Sequence, residues 1–332
     1  MQRVILDFTS DHSFGKSAVK LEEHYGYTLH PSRLRTLTLE HGKACADKTF
    51  PQAPETAARQ IISEMDGTMT PMVETGKGKD ARKERRLYWR EARLSLAYQS
   101  GQTTMVYGAV LGDRFEAGVV WEQTAVAAGY GSGETSVHGV GDGACWITEE
   151  FDGIFGTDGS YLLDFYHVGE YLSEASKACA PDQSEKWLDV QKGYLLEGKQ
   201  RQVLSELKEH CEETTLTGTD KPPVNRASDY LEARAEQLDY QGAREAKLPI
   251  GSGAIEGNHR SVIHERLKIS GAWWLPENAG YMLNLRTLRA NGCWANYWAS
   301  LNCPPLLVTP GVDCLEGFEA HVVCRHVVVA FF

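Results

Sequence analysis

A chain of 332 residues, 42% of them hydrophobic, holds enough apolar material for one large domain or two smaller ones, which excludes disorder as the default state. No run of about 18 apolar residues exists to span a bilayer. The N-terminus, Met1-Gln2-Arg3-Val4-Ile5-Leu6-Asp7, also lacks the longer apolar core of a secretory signal, so a cytoplasmic protein with no membrane partner is expected. The net charge of −11 argues mildly against nucleic acid, and the eight cysteines include no Cys-x-x-Cys pair of a structural zinc site.

Residues 1–48 read as helix, tight turn, helix. Phe14, Ala18, Leu21 and Tyr25 recur at helical spacing, Gly26 breaks the run, and Leu34, Leu37 and Leu39 resume it after Pro31-Ser32. The second helix would carry His30, Ser32, Arg33, Arg35 and Thr36 outward, which fits a DNA-reading helix-turn-helix; a helical hairpin that merely packs on the next domain fits as well. Phe50 to Ala57, with Pro51 and Pro54, reads as a linker. Three strands then form a meander: Ile61-Ile62 leading into Asp66, the alternating Ala92, Leu94, Leu96 and Tyr98, and Met105-Val106-Tyr107. Between the first two, Lys77, Lys79, Arg82, Lys83, Arg85, Arg86, Arg90 and Arg93 outweigh Asp80, Glu84 and Glu91. This local basic surface suits phosphate, and it suits a solvated hairpin loop equally.

A helix over Phe115 to Ala128, a short strand from Ser136 to Val140 ending at Asp142, a helix from Trp146 to Phe155, a strand at Tyr161-Leu162-Leu163 and a helix from Val168 to Ala178 follow. Three strands, helix, strand, helix, strand, helix is the order of an RNase H-like α/β fold, a mixed sheet with flanking helices. Residues 185–240 are polar and helical, and the loop Leu248-Pro249-Ile250-Gly251-Ser252-Gly253 leads into a predicted helix from Ala254 to Ile269. The plan expected is a helix-turn-helix-like segment at 1–48, a core begun at 58–180, a helical insertion at 181–247, core completion at 248–300 and an atypical tail at 301–332.

Three acids stand out by setting: Asp66 in Met65-Asp66-Gly67-Thr68-Met69, Asp142 in Gly141-Asp142-Gly143, and Glu256 at the start of the late helix. Brought together, three carboxylates can hold two Mg²⁺ ions, which activate a nucleophile and stabilise a leaving oxygen in phosphodiester cleavage. Taken singly each has a plainer explanation, since Asp-Gly is ordinarily a turn and a Glu at a helix start ordinarily offsets the dipole. Trp273 and Trp274 suit stacking on an unpaired base, and equally a helical core.

Several segments in order carry a resemblance: Asp66-Gly67-Thr68-Met69-Thr70-Pro71-Met72, Glu91-Ala92-Arg93-Leu94, Gly141-Asp142-Gly143-Ala144-Cys145-Trp146-Ile147, Asp164-Phe165-Tyr166-His167, and Leu248 through Glu256. From about Asp7 to Trp298 the chain resembles DDE transposases of bacterial insertion sequences, in particular the ISKra-type group, and more distantly Mutator-like transposases. The resemblance implies an RNase H-like core interrupted by a helical insertion before the last acid. It further implies Mg²⁺-dependent cleavage at transposon ends, with Mn²⁺ able to substitute, and strand transfer into target DNA. Partners implied are terminal inverted repeats, target DNA and further copies of the chain, in the nucleoid of a bacterial cytoplasm.

By this resemblance Asp66, Asp142 and Glu256 are the acids that hold metal, with Asp164 the rival for the second place and His167 beside it. His259 and Arg260, three and four residues beyond Glu256, share its helical face and are expected to contact DNA phosphate, as are Arg33, Arg35, Arg82, Lys83, Arg85 and Arg86. Members of the group are commonly longer at the N-terminus, and the tail after Cys303 differs from their usual ending. An inactive or truncated remnant that only binds DNA is therefore the alternative expectation.

Overall fold

The computed structural model describes residues 1–76 and 84–302. Of the expected basic surface, Lys77, Lys79, Arg82 and Lys83 lie outside the described residues, as does the chain from Cys303 onward. The N-terminal segment contains three helices where two were expected: α1 (Gln2–Asp11), α2 (Phe14–Tyr25) and α3 (Pro31–Ala44). The Ser13 side chain caps α2 by accepting from the Lys16 N–H, and Gly26, at φ 68°, closes it in the left-handed conformation that glycine adopts without strain. Pro31 starts α3, where its missing N–H costs nothing. Ile5, Leu6, Leu21, Leu34 and Leu37 are the buried faces of these helices.

Five strands form one mixed sheet: β1 (Gln60–Glu74), β2 (Arg86–Gln99), β3 (Val106–Val110), β4 (Ser136–Gly141) and β5 (Gly159–Leu163). Their order is β3-β2-β1-β4-β5, with β1, β2 and β3 mutually antiparallel and β4 and β5 parallel to β1. The parallel ladder between β1 and β4 ends at Ser63 and Gly139, whereas β1 and β2 stay paired from Ile61↔Gln99 to Glu74↔Arg86. Beyond Ser63, β1 leaves β4 but keeps β2 beside it, with β3 on the far side of β2 as far as Arg93↔Val110; past Gly67 β1 and β2 run on as a two-stranded ribbon, and Asp66-Gly67 lies within the strand rather than in a turn. Pro71 is tolerated because this stretch of β1 is an edge strand, joined only by a short bridge in which Trp274 donates its N–H to the Pro71 carbonyl and accepts from the Val73 N–H.

Helix α4 (Arg114–Ala128) starts with a reciprocal capping box between Asp113 and Glu116 and packs on β2 and β3. With α5 (Cys145–Phe155) it covers one side of the sheet, where Trp121, Phe151 and Phe155 pack against Ile61, Met65 and Val137. The buried Trp121 indole satisfies its N–H on Ser63 Oγ at 2.8 Å. The same cluster runs on into α6 (Phe165–Cys179), α7 (Ser184–Leu196), α8 (Gln200–Glu209), α9 (Pro223–Glu232) and α10 (Tyr240–Glu245), with α7 and α9 packed directly on α6.

A second cluster joins α1–α3 and the β1–β2 ribbon to the late helices: α11 (Gly253–Asn258), a π-helical segment at His259–His264, α12 (Glu265–Leu267), α13 (Pro276–Ala290) and α14 (Trp294–Asn302). A Cβ at Gly42 would come within 2.4 Å of the Tyr281 carbonyl oxygen, so α3 meets α13 backbone to backbone only because that position is glycine. Among the described residues no helix is long and apolar enough to cross a membrane.

Candidate active site

Asp66 sits where β1 leaves the parallel ladder, half-buried. Its Oδ1 accepts the Gly67 N–H at 2.7 Å, and its Oδ2 lies 3.0 Å from Nε2 of His259. Because a carboxylate accepts and does not donate, this contact fixes the His259 tautomer with the proton on Nε2. His259 is only 4% exposed and its ring is turned to Asp66, whereas Arg260, the other residue expected to contact DNA phosphate here, is exposed. Helical spacing places His259 inward, because it follows the buried Ile255 by four residues and precedes the buried Val262 and Ile263 by three and four; a π-helical segment begins at His259.

Glu256 lies in the first turn of α11 and is exposed. Its carboxyl is held above the usual range first by lost hydration, then by Asp164, Asp66 and Glu170, while His167 acts in the opposite direction. Acids from β1, from the start of α6 and from α11 thus converge. Asp142 follows β4 directly, at an adjacent strand end, but it is not among the charges acting on Glu256. Asp142 and Asp66 both act on Tyr161, a buried phenol pushed up first by burial and then by Asp142, with Asp66 contributing less.

The two rivals for the second acid differ in how they are used. Asp164 is the N-cap of α6 and 3% exposed: Oδ1 accepts the N–H groups of Tyr166 (2.6 Å) and His167 (2.9 Å), and Oδ2 accepts the N–H (2.5 Å) and Oγ–H (2.6 Å) of Ser252. Four donors occupy its acceptor positions and tie α6 to the loop before α11. Asp142 is only partly buried and accepts one backbone N–H, from Ala144 at 2.9 Å. Its loop is gripped from α9 and the turn after it: the Tyr230 hydroxyl donates to the Asp142 carbonyl at 2.5 Å, and Arg234 Nε donates to the Gly143 carbonyl at 2.9 Å. His167, half-buried, lies 3.4 Å from Glu170 and stands edge-on to Tyr171 and Tyr230.

Glu64, two residues before Asp66 and on the same face of β1, was not anticipated. It is fully buried; Oε2 accepts the Ile255 N–H at 3.0 Å, in the turn that carries Glu256, and Oε1 has no partner among the described residues. Burial, opposed by that hydrogen bond and helped by Asp164 and Glu256, pushes its carboxyl up to about 8 from 4.5. Below pH 4.5 both folded and unfolded chains hold this proton, and between 4.5 and about 8 only the folded chain does, so stability falls as pH rises through that window and levels off above it. Glu64→Gln should remove the loss. In metal-free buffer the stability difference between variant and parent is expected to shift in the variant's favour by a few kcal/mol, order of magnitude, from pH 5 to pH 8; denaturant melts at the two pH values measure it, and a constant difference would contradict it.

Further along the same face, Thr68 Oγ1 lies 2.9 Å from His264 Nε2 and accepts from Lys268 Nζ at 2.8 Å. Burial, Lys268 and His259 together push His264 down to about 4, so it is neutral near pH 7. Of the cations expected to meet phosphate, Arg33 and Arg35 are exposed on α3, and Arg85 and Arg86 are exposed at the start of β2.

The donors at this site are hard carboxylate oxygens, which suit Mg²⁺ in kind, and the like-charge pressure on Glu256 is what a bound cation would relieve. Among the described residues, however, no three His, Cys, Asp or Glu side chains stand close enough together to hold a metal ion. Neither protein-family models nor curated protein sequences gave a match to this chain.

Proposed function

We propose that the chain is a DNA-cleaving and strand-transferring enzyme of the DDE transposase kind, with Asp66, Asp142 and Glu256 as its acids. The observation that carries this reading is the convergence of Asp66, in the central strand, and Glu256, from a helix late in the chain, close enough for the Asp66 charge to help raise the proton affinity of Glu256. Strand order, with an antiparallel meander followed by two parallel strands, supports an RNase H-like core, and α1–α3, with Arg33 and Arg35 exposed, support a DNA-binding segment. Asp142 is preferred to Asp164 because the four donors on Asp164 leave it little capacity to take a further ligand.

As the side chains stand, no three among the described residues are grouped to hold a metal ion; were Asp66 and Glu256, with Asp142, to close on Mg²⁺, the ion would supply activation of water or a 3′-hydroxyl and stabilisation of the leaving oxygen. The chain's own residues do the rest. His259 orients Asp66 through Nε2, Glu64 holds the turn bearing Glu256, and Tyr230 and Arg234 fix the backbone around Asp142. The fully bonded Asp164 locks α6 to the Ser252 loop on which α11 begins.

The test uses duplex DNA carrying the inverted repeats that flank the coding sequence. Nicking at the repeat ends with Mg²⁺ or Mn²⁺, abolished by chelation, is the expected result. Specific binding without nicking would instead favour a remnant that only binds DNA, and neither binding nor nicking would end the proposal.

A further inference from the structure

Away from the carboxylates, a cavity of about 380 Å³ opens where the first residues of α2, the middle of α3, the outer end of β1 and the loop before α13 meet. Its volume is that of a small-ligand site. Phe14 and Trp274 form an edge-on aromatic pair, 6.5 Å between centroids, and Trp273 is 38% exposed, edge-on to Trp89 at 6.2 Å. Two arginines line the same cavity, Arg35 and Arg266, and among the described residues no Asp or Glu does. In a chain with 45 acidic and 34 basic residues, an acid-free cavity with two guanidinium groups is selective for negative charge.

Arg266 is the second and independent observation. It is 2% exposed, its guanidinium lies 4.7 Å from the Phe14 ring and 4.8 Å from the Trp274 ring, and its Nε donates to the Thr9 carbonyl at 2.8 Å. Nη2 has no partner, and among the described residues no carboxylate pairs with it. Buried cations are ordinarily paired with an anion or fully hydrogen-bonded. Burial and the neighbouring Arg286 press its proton affinity down, to about 10, with the Asp11 charge acting weakly the other way. An aromatic wall beside an unpaired buried guanidinium, with a second arginine at the mouth, is complementary to a planar, hydrogen-bond-accepting ring attached to an anion.

The geometry points to this cavity as the seat of a single unpaired nucleotide at the end of a DNA duplex, its base against Trp273 and the Phe14–Trp274 wall and its phosphate at Arg35. The inference rests on the reading of the chain as a DNA-processing enzyme and adds a site to it. The placement suits that role: Val73 lines the cavity roughly 20 Å along β1 from Asp66, and Arg266 belongs to the same helical run as Glu256, so one DNA end can reach both.

The probe is 2-aminopurine, whose fluorescence falls on stacking, placed as one unpaired nucleotide at a duplex end, with a blunt duplex of the same sequence and the free 2-aminopurine nucleotide as comparisons. The full chain is expected to quench the unpaired base and to bind its duplex about tenfold more tightly than the blunt one. Trp273→Ala should abolish quenching and preference while blunt-duplex affinity stays unchanged, and Trp273→Phe should restore much of both. Equal binding of the two duplexes, or quenching that survives Trp273→Ala, overturns the site and leaves the DNA-processing reading standing. Tight binding of the free nucleotide with no preference between duplexes overturns the commitment to a DNA end. Failure to bind any duplex overturns both readings.

Discussion

Replacing Asp66 by Asn, or Glu256 by Gln, is expected to lower metal-dependent DNA cleavage by at least about 10³-fold, the scale of loss when a member of a cooperating catalytic group is removed, while the melting transition moves little. The two halves of this expectation come from the same geometry. Asp66 is half-buried, and an Asn there keeps an acceptor for the His259 N–H; Glu256 is exposed, and its carboxylate makes no hydrogen bond within the described residues. Neither side chain supports the core, so its charge can be removed without opening a cavity; at position 66 the single amide oxygen serves His259 and the half-buried Gly67 N–H gives up its side-chain acceptor, a small cost. Single-turnover cleavage of repeat-end DNA and a thermal melt on the same samples test both halves. Cleavage within about tenfold of the parent in either variant would remove that acid from the site. A large loss of stability would instead show that the geometry misassigns where these side chains bear load. A linked effect has a definite sign: because Asp66 helps to hold the Glu256 carboxyl above its usual range, Asp66→Asn should let that carboxyl titrate at lower pH.

How far the fold was legible depends on whether the information was local. Ala92, Leu94 and Leu96 alternate, and they form one buried face of β2 as expected. The expected helix over Phe115 to Ala128 appears as α4 with its start one residue earlier, because Asp113 and Glu116 supply a cap readable from sequence. The strand expected to lead from Ile61-Ile62 into Asp66 runs further than its local sequence suggests: Asp-Gly is ordinarily a turn, and only pairing with the distant β2 keeps β1 extended through it to Glu74. The late helix was legible as helix but not as interrupted. Ile255, Val262, Ile263 and Leu267 keep their buried side through the π-helical segment, so the apolar pattern carries no sign of the widened turn, although it does place His259, four residues after Ile255, on the inward side. Glu64 carried a faint signal, a charge two positions from Asp66 in an otherwise apolar strand. Its meaning needed the Ile255 N–H from far along the chain, and the contacts of Tyr230 and Arg234 with the Asp142 loop had no local signal at all.

Asp164 supplies the opposite experiment to Asp66. Its carboxylate is almost wholly buried and accepts four hydrogen bonds, two from the first turn of α6 and two from Ser252. Asp164→Ala would leave the Tyr166, His167 and Ser252 N–H groups and the Ser252 hydroxyl without that acceptor, uncap α6, and free the loop from which α11 starts. Hydrogen bonds to a charged group are worth roughly 1.5–3 kcal/mol each and are not additive. A loss of about 3–5 kcal/mol is therefore expected, with a fall in melting temperature on the order of 5–10 °C. Asp164→Asn keeps one acceptor oxygen and should recover part of this, since Asn is also a good N-cap. Denaturant melts of the three proteins give the ranking. If Asp164 were instead a metal ligand with little structural duty, Asp164→Asn would melt like the parent and lose cleavage as completely as Asp66→Asn. If it is the brace described by its four donors, Asp164→Asn would retain measurable cleavage at a temperature where it stays folded, and raising the temperature would remove activity and structure together.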